Sequence, residues 1–266
     1  MRQLSLILLI SGASLWSNAQ NGFHIGSTST FGGSWILNQN NYETLEGCAV
    51  ISKSELGYRF KFGYNLGVQM GYNFNNRIGI VWAVTYNQAG QNYEDTFNPG
   101  AAFCPDPYHV VRKIDLKYLQ VPLYFKYTFG PYGKRIQYYG MLGPQLGIML
   151  KPTETVVING VEKTDLQSAN LKFHDFDFGL ALGAGADIYL NQHIYFEIGA
   201  LTYLGTDING NYVRNLEWFS KNDVGYQSSH NFRLGLDVGI HYLFNKTAEN
   251  PFKKKEGVPI PPKSVD

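Results

Sequence analysis

The chain has 266 residues, a formal net charge of +1 and 16% charged residues. A near-neutral chain offers no electrostatic case for nucleic-acid binding, and we exclude that class. The 29 glycines, 19 tyrosines and 17 phenylalanines favour an aromatic, closely packed β-sheet. After the N-terminal segment there is no run of 18 apolar residues, which excludes transmembrane helices but not transmembrane strands.

Residues 1–19 have the layout of a signal peptide. Arg2 precedes an apolar run over residues 4–10, and the small residues Ser17 and Ala19 lie three and one positions before Gln20. A membrane anchor is the alternative, but the run is too short to cross a hydrocarbon layer of about 30 Å as a helix. We therefore expect the mature chain to begin at Gln20.

Eight segments alternate between apolar residues and residues that are polar or glycine, which is the period of a strand with two different faces. The clearest example runs from Leu119 to Phe129, and the first segment, rich in serine, threonine and glycine, shows the pattern least. In chain order the segments lie at about residues 23–35, 60–74, 78–88, 116–130, 136–150, 176–190, 194–204 and 232–244.

The connections between these segments alternate in length. Short turns at residues 75–77, 131–135 and 191–192 separate long connections at about 36–58, 90–113, 151–174 and 205–230. A soluble sandwich would also alternate along its strands, but it has no reason to alternate its loops in this way. The sequence therefore predicts an all-β fold: an eight-stranded antiparallel up-and-down transmembrane β-barrel with four long extracellular loops and short periplasmic turns.

The apolar parity carries aromatic residues at the short-turn ends of its strands. In a membrane barrel such residues form a girdle at the interface, whereas in a soluble sandwich they would fill the core. They are Tyr72, Phe74, Tyr127, Phe129, Tyr242 and Phe244.

The polar parity is expected to face a lumen that side chains fill, because eight strands leave no room for an open aqueous pore. Buried opposite charges must pair, so we favour a structural charge network over a proton path or a ligand site. The predicted members are Lys61, Lys126, Asp177, Asp187, Glu197, Arg233, Asp237 and His241. Pro122 shares this parity, where proline usually marks a bulge or bend, and Pro144 falls on the apolar parity.

Two cysteines lie in the first two long connections, Cys48 and Cys104. An exported protein lives in an oxidising compartment, so a disulfide between them is plausible, and the sequence leaves open whether they are bridged. Their spacing gives no metal site, and we expect no cofactor. The Lys- and Pro-rich residues 246–266 are expected to be a disordered periplasmic tail, with residues 253–255 either solvated or facing an acidic surface.

The segment KYLQVPLYFKYTFG resembles the PorT-like outer-membrane β-barrel family of Bacteroidota. The similar residues are Tyr118, Leu119, Val121, Pro122, Leu123 and Lys126, and the strands at 176–190, 194–208 and 232–244 look like the closing strands of that family. The resemblance covers residues 20–245 and implies an integral outer-membrane location. It also implies a place among barrels that include a component associated with type IX secretion.

No coherent catalytic set is evident, so the leading hypothesis is a non-enzymatic structural or accessory barrel. Its partners would be outer-membrane lipid, lipopolysaccharide and proteins of an envelope or secretion complex, contacted through loops or tail. A small-solute channel is disfavoured by the filled lumen. The enzymatic alternative is a lipid acyl-hydrolase or acyltransferase, whose candidate nucleophiles and bases are His174, Ser228, Ser229 and His230.

Overall fold

The computed structural model describes residues 22–38, 44–45, 49–50, 57–97, 108–129, 134–164, 166–214, 226 and 228–244. The predicted signal peptide and tail lie outside the described residues, and so do Cys48 and Cys104. The cleavage site, the tail and the disulfide therefore stay predictions.

The described part consists of strands and two short helices, neither of which is long and apolar enough to cross a membrane. The strands are β1 (Gly22–Leu37), β2 (Thr44–Leu45), β3 (Ala49–Val50), β4 (Gly57–Arg59), β5 (Lys61–Asn73), β6 (Ile78–Phe97), β7 (Tyr108–Phe129), β8 (Ile136–Ile158), β9 (Val161–Thr164), β10 (Phe176–Tyr189), β11 (Ile194–Asp207) and β12 (His230–Leu243). The helices are α1 (Leu166–Lys172) and α2 (Asn211–Arg214).

Eight of these strands close into a ring. The hydrogen-bonded order is β1-β5-β6-β7-β8-β10-β11-β12, and β12 pairs with β1 to complete it. Every pairing in the ring is antiparallel. Closure removes the two unpaired edge strands that an open sheet would expose. The predicted eight-stranded barrel is confirmed.

The apolar parity faces outward. Leu123, Phe125, Leu182 and Ile240 are each at least half exposed, at 50%, 51%, 57% and 55% of their surface. Large aliphatic side chains exposed on the successive strands of a closed ring fit contact with hydrocarbon. A soluble sandwich would bury these residues, so that alternative is wrong.

Aromatic pairs mark the short-turn end of the outer face. The rings of Tyr127 and Phe129 lie 4.9 Å apart, and those of Tyr242 and Phe244 lie 5.2 Å apart, in edge-to-face arrangements. Tyr72 and Phe74 repeat the pattern at 5.4 Å. These are the predicted girdle residues, each two positions apart on one face of a strand.

Strands β7 and β8 have 22 and 23 residues, about twice the 9–11 that a tilted strand needs to cross a bilayer. The outward apolar residues end at Leu119 on β7 and Leu150 on β8, and strand continues beyond both. Much of the predicted loops at 90–113 and 151–174 is therefore strand. The alternation persists there with its polarity reversed, because most inward residues are apolar and most outward ones are polar.

A β-bulge lies where the two long strands leave the apolar zone. Lys117 pairs with Lys151 and Tyr118 pairs with Met149, so Leu150 is the extra residue. The bulge reverses the parity of β8, so that odd-numbered residues face outward beyond it. By contrast, the β7–β8 register runs through the buried Pro122 without a shift. The expectation of a bulge at Pro122 is therefore wrong.

Candidate functional site

The eight predicted lumen residues all face inward. Seven of them are at most 7% exposed, and Arg233 is partly buried. The pairing of neighbouring strands places these residues at three levels along the barrel. The first group is Lys126, Asp187, Glu197, Asp237 and His241. The second is Asp177 and Arg233, and Lys61 lies apart from both.

The first group surrounds the ammonium of Lys126. Its Nζ donates to Glu197 at 2.7 Å and to Asp187 at 2.9 Å. The two acids are register partners on β10 and β11, which places both carboxylates before one ammonium. Nζ also lies 4.0 Å from the centre of the Tyr139 ring, a cation–π contact in a buried setting.

Two histidines and a tyrosine line the same level of the lumen. The His241 ring stacks on Tyr195 at 4.8 Å, and its Nε2 lies 4.0 Å from the Glu197 carboxylate. The Tyr195 hydroxyl lies 2.9 Å from Nδ1 of His24. Asp237, four residues before His241 on the same face of β12, accepts a 2.8 Å hydrogen bond from the Thr30 hydroxyl.

The second group lies nearer the extracellular end. Arg233 donates to Asn87, and its guanidinium lies 4.8 Å from the Tyr203 ring centre. Asn231 donates to Asp177 at 2.8 Å and to the Tyr118 hydroxyl at 3.0 Å. Side chains thus cross the lumen from opposite strands and fill it, as expected for a ring of eight.

A row of three glycines on adjacent strands lines a small niche beside Arg233. Gly63, Gly32 and Gly235 are register partners across β5, β1 and β12. A Cβ at Gly32 would collide with the backbone of Leu234 and Gly235. Glycine is required here because the strands approach closely, and its absence of a side chain leaves room for Arg233.

Lys61 faces the lumen but does not join the other charges. Its Nζ contacts Asp115 at 2.5 Å. Its Cε lies 3.3 Å from the point that a Cβ at Gly90 would occupy. Gly90 has a φ of +131°, which favours glycine. The charge of Lys61 is thus neutralised by an acid on the outward parity of β7.

Above the apolar zone, the inward residues of the long strands form a second core together with residues of β1 and of the segments that follow α1 and β11. It contains Ile36, Ala89, Tyr93, Val110, Ile114, Leu116, Tyr118, Phe173 and Ile208, and Met149 and Val156 pack against it. Helix α1 packs against β8 in this region. We call this region, residues 89–97, 108–118, 151–164 and 166–173, the extracellular extension.

A buried ion triad crosses the extracellular extension. Glu154 accepts a hydrogen bond from Arg112 and a 2.8 Å hydrogen bond from Lys172 at the end of α1. Burial would raise the pKa of the Glu154 carboxyl, but the two cations outweigh it and hold that pKa below its usual value. The triad therefore ties α1 to the strands through an ionised Glu154 carboxylate.

The enzymatic candidates lie at the extracellular rim. The Ser228 hydroxyl is 2.9 Å from Nε2 of His230, and Nδ1 of His230 is 3.2 Å from the Gly205 carbonyl oxygen. Ser229 donates instead to the carbonyl of Asn38 at 3.1 Å. His174 accepts from the Phe176 amide at 3.1 Å. Ser228 and His230 are the pair that the structure brings together.

Several charged or polar partners escaped the sequence-based prediction. His24 is on the polar parity of β1, but the weak alternation of that strand gave no reason to select it. Arg112, Glu154 and Lys172 fell in segments interpreted as loops. The alternation of apolar residues at 110, 114 and 116 was the available signal for the extension.

A closed antiparallel ring with lipid-compatible side chains outside and charges inside defines a membrane β-barrel. Residues 18–205 match the family model described as outer membrane protein beta-barrel domain. The chain belongs to this family, and it is an integral outer-membrane β-barrel protein.

Solved structures with a similar outline include Neisserial surface protein A, at 13% identity and a TM-score of 0.40, covering 84% of this chain and 97% of that one. OprG from Pseudomonas aeruginosa has 16% identity and a TM-score of 0.40, covering 85% and 97%. Outer membrane protein W of E. coli has 13% identity and a TM-score of 0.38, covering 86% and 100%. Among curated proteins, none matches this chain.

Proposed function

We propose that this protein is a non-enzymatic, non-conducting outer-membrane barrel that presents a rigid extracellular platform to a protein partner. The observation that supports this is the buried core of the extracellular extension. The strands are twice as long as a bilayer requires, and a buried ion triad joins them to a helix. Ordering these additional residues costs conformational entropy, and a ring that only spans the lipid would not incur this cost. A rigid surface lowers the entropic cost of binding a partner.

The partner is proposed to belong to an envelope-assembly or secretion complex. Support for this choice comes from the resemblance of the Tyr118–Lys126 strand to the PorT-like family. The periplasmic tail is proposed as a second contact.

In-cell photo-crosslinking tests the platform. A photoreactive residue at Val161, which is 62% exposed on β9, should give one discrete protein adduct, whereas the lipid-facing Leu180 should give none. The Val161 adduct should disappear when Arg112→Met disrupts the triad, while the barrel keeps its heat-modifiable mobility on gels. An identical adduct from both positions, or an adduct that survives the triad variant, would contradict the proposal.

Conductance measurements separate the channel alternative. The purified full chain in planar bilayers should give no discrete conductance steps, because layers of side chains fill the ring. Reproducible steps that Arg233→Ala enlarges would favour the small-solute channel instead.

A second candidate function rests on the Ser228–His230 pair. A hydroxyl within hydrogen-bond reach of an imidazole that is oriented through its other nitrogen is the arrangement of an activated nucleophile. The proposed activity is ester hydrolysis or acyl transfer on lipids at the outer rim. Release of fatty acid from lipid substrates that is lost in Ser228→Ala and His230→Ala, but kept in Ser229→Ala, would support it; equal rates in all four proteins would exclude it.

A further inference from the structure

The outer face carries a pair of lysines directly above the apolar zone. Lys117 on β7 and Lys151 on β8 are register partners, and the row below them contains Leu119 and Ile148. Both lysines are on the outward parity, with Lys151 exposed and Lys117 partly buried. Two cations therefore lie side by side at the level where the outward side chains change from apolar to polar.

Like charges opposite each other on antiparallel strands repel and destabilise the sheet. Among the described residues, no partner forms an ion pair or a hydrogen bond with the ammonium group of either lysine. The nearest acid on the same face of β7, Asp115, is engaged by Lys61 at 2.5 Å. Lys113, a further outward cation two positions beyond Asp115, adds to the positive charge of this surface.

The bulge at Leu150 is what creates the pair. If β8 retained Leu150 and alternated regularly through it, Lys151 would face the lumen and Glu154 would face outward. The bulge therefore directs the acid to Arg112 inside and the lysine to Lys117 outside. Bulges that redirect a side chain in this way commonly lie beside functional positions.

The position of the two lysines relative to the membrane indicates which ligand they can bind. From Phe129 to Leu119, β7 presents 11 residues with an apolar outward parity, the length of one tilted membrane crossing. Lys117 follows at the polar boundary of the leaflet that faces the extracellular extension. In an outer membrane this boundary contains the phosphate groups of lipopolysaccharide, and a lysine ammonium binds phosphate as a compact point charge.

We propose that Lys117 and Lys151 form a binding site for a lipid A phosphate of outer-leaflet lipopolysaccharide. The phosphate would lie between the two ammonium groups and neutralise their repulsion. The adjacent Leu119 and Leu150 would contact its acyl chains.

Titration of the detergent-purified full chain with fluorescent bisphosphorylated lipid A tests this site. Each lysine near an anionic lipid surface is worth about fivefold in affinity, so the K117Q/K151Q variant should bind about 30-fold more weakly. The double arginine variant K117R/K151R should retain binding. The matched control K134Q, which removes an exposed lysine at the periplasmic rim, should bind as the wild type does.

Two further measurements identify the ligand and check that the variants are folded. Dephosphorylated lipid A should bind the wild type as weakly as bisphosphorylated lipid A binds K117Q/K151Q, and phosphatidylglycerol should compete poorly. All variants should keep the heat-modifiable mobility of a folded barrel. Unchanged affinity in the double glutamine variant, equal loss in K134Q, or equal competition by phosphatidylglycerol would each overturn the assignment.

Discussion

Replacing Lys126 with methionine removes the ammonium that Asp187 and Glu197 share inside the barrel. Methionine has a similar length, so the change deletes the charge and its two hydrogen bonds of 2.9 and 2.7 Å with little loss of volume. Removing one partner of a buried ion pair costs about 3–5 kcal/mol, because the remaining charge is left without a counterion. We expect the free energy of unfolding to fall by about that amount.

Urea-induced unfolding in phospholipid vesicles, followed by tryptophan fluorescence, measures this loss. Lys134→Met, an exposed lysine at the periplasmic rim, is the matched control and should change the stability by less than about 0.5 kcal/mol. The triple variant K126M/D187N/E197Q should recover at least half of the loss, because it also removes the unpaired carboxylates. A loss below about 1 kcal/mol for K126M, or a triple variant that is less stable than K126M, would refute the reasoning.

Three further predictions concern the extracellular extension and the glycine row. Glu154 lies above the apolar zone and its folded pKa is lowered, so its contribution to stability is present above its ordinary value of 4.5 and is lost as the pH falls through the folded pKa. Amide hydrogen exchange in the extension, corrected for intrinsic rates, should therefore accelerate as the pH is lowered. In the E154Q variant the extension should already exchange fast at neutral pH. Equal protection in E154Q and in the wild type would contradict this. Deleting Leu150 should remove the bulge and leave Lys151 outward and Glu154 inward, so the extension should keep its protease resistance and the barrel its heat-modifiable mobility; a newly protease-sensitive extension would argue against Leu150 as the extra residue. Gly32→Val should lower the midpoint of urea unfolding by an amount equivalent to about 1–3 kcal/mol, because its side chain meets the Leu234 backbone; an unshifted midpoint would show that the strands can separate.

The barrel itself was predictable because its outer face contacts lipid and its inner face contacts polar side chains. Lipid outside and side chains inside impose opposite demands on successive residues, so the eight strands were detectable as alternating segments such as Leu119–Phe129. The alternation of loop lengths then distinguished a membrane barrel from a sandwich. The inward parity of Lys126, Glu197 and His241 followed from the same pattern.

The extracellular extension was not predictable by that rule. Beyond Leu119 and Leu150 the outside of the strands is mostly polar and the inside mostly apolar, which reverses the pattern used to find the strands. The bulge at Leu150 also shifts the parity of β8 by one residue, and the nearest signal in the sequence is Pro152, two residues beyond it. A proline alone does not locate a bulge, because Pro122 leaves the register unshifted.

The sequence by itself determined the fold class, the number of strands and the side of the wall on which each charged residue of the barrel lies, because these depend on a local period of two. The tertiary structure decided which charges meet: Lys126 with Asp187 and Glu197, Lys61 with Asp115, Glu154 with Arg112 and Lys172, and Lys117 beside Lys151. Those pairings depend on the register between strands and on one inserted residue. Register is set by contacts between segments far apart in the chain, which no local pattern contains.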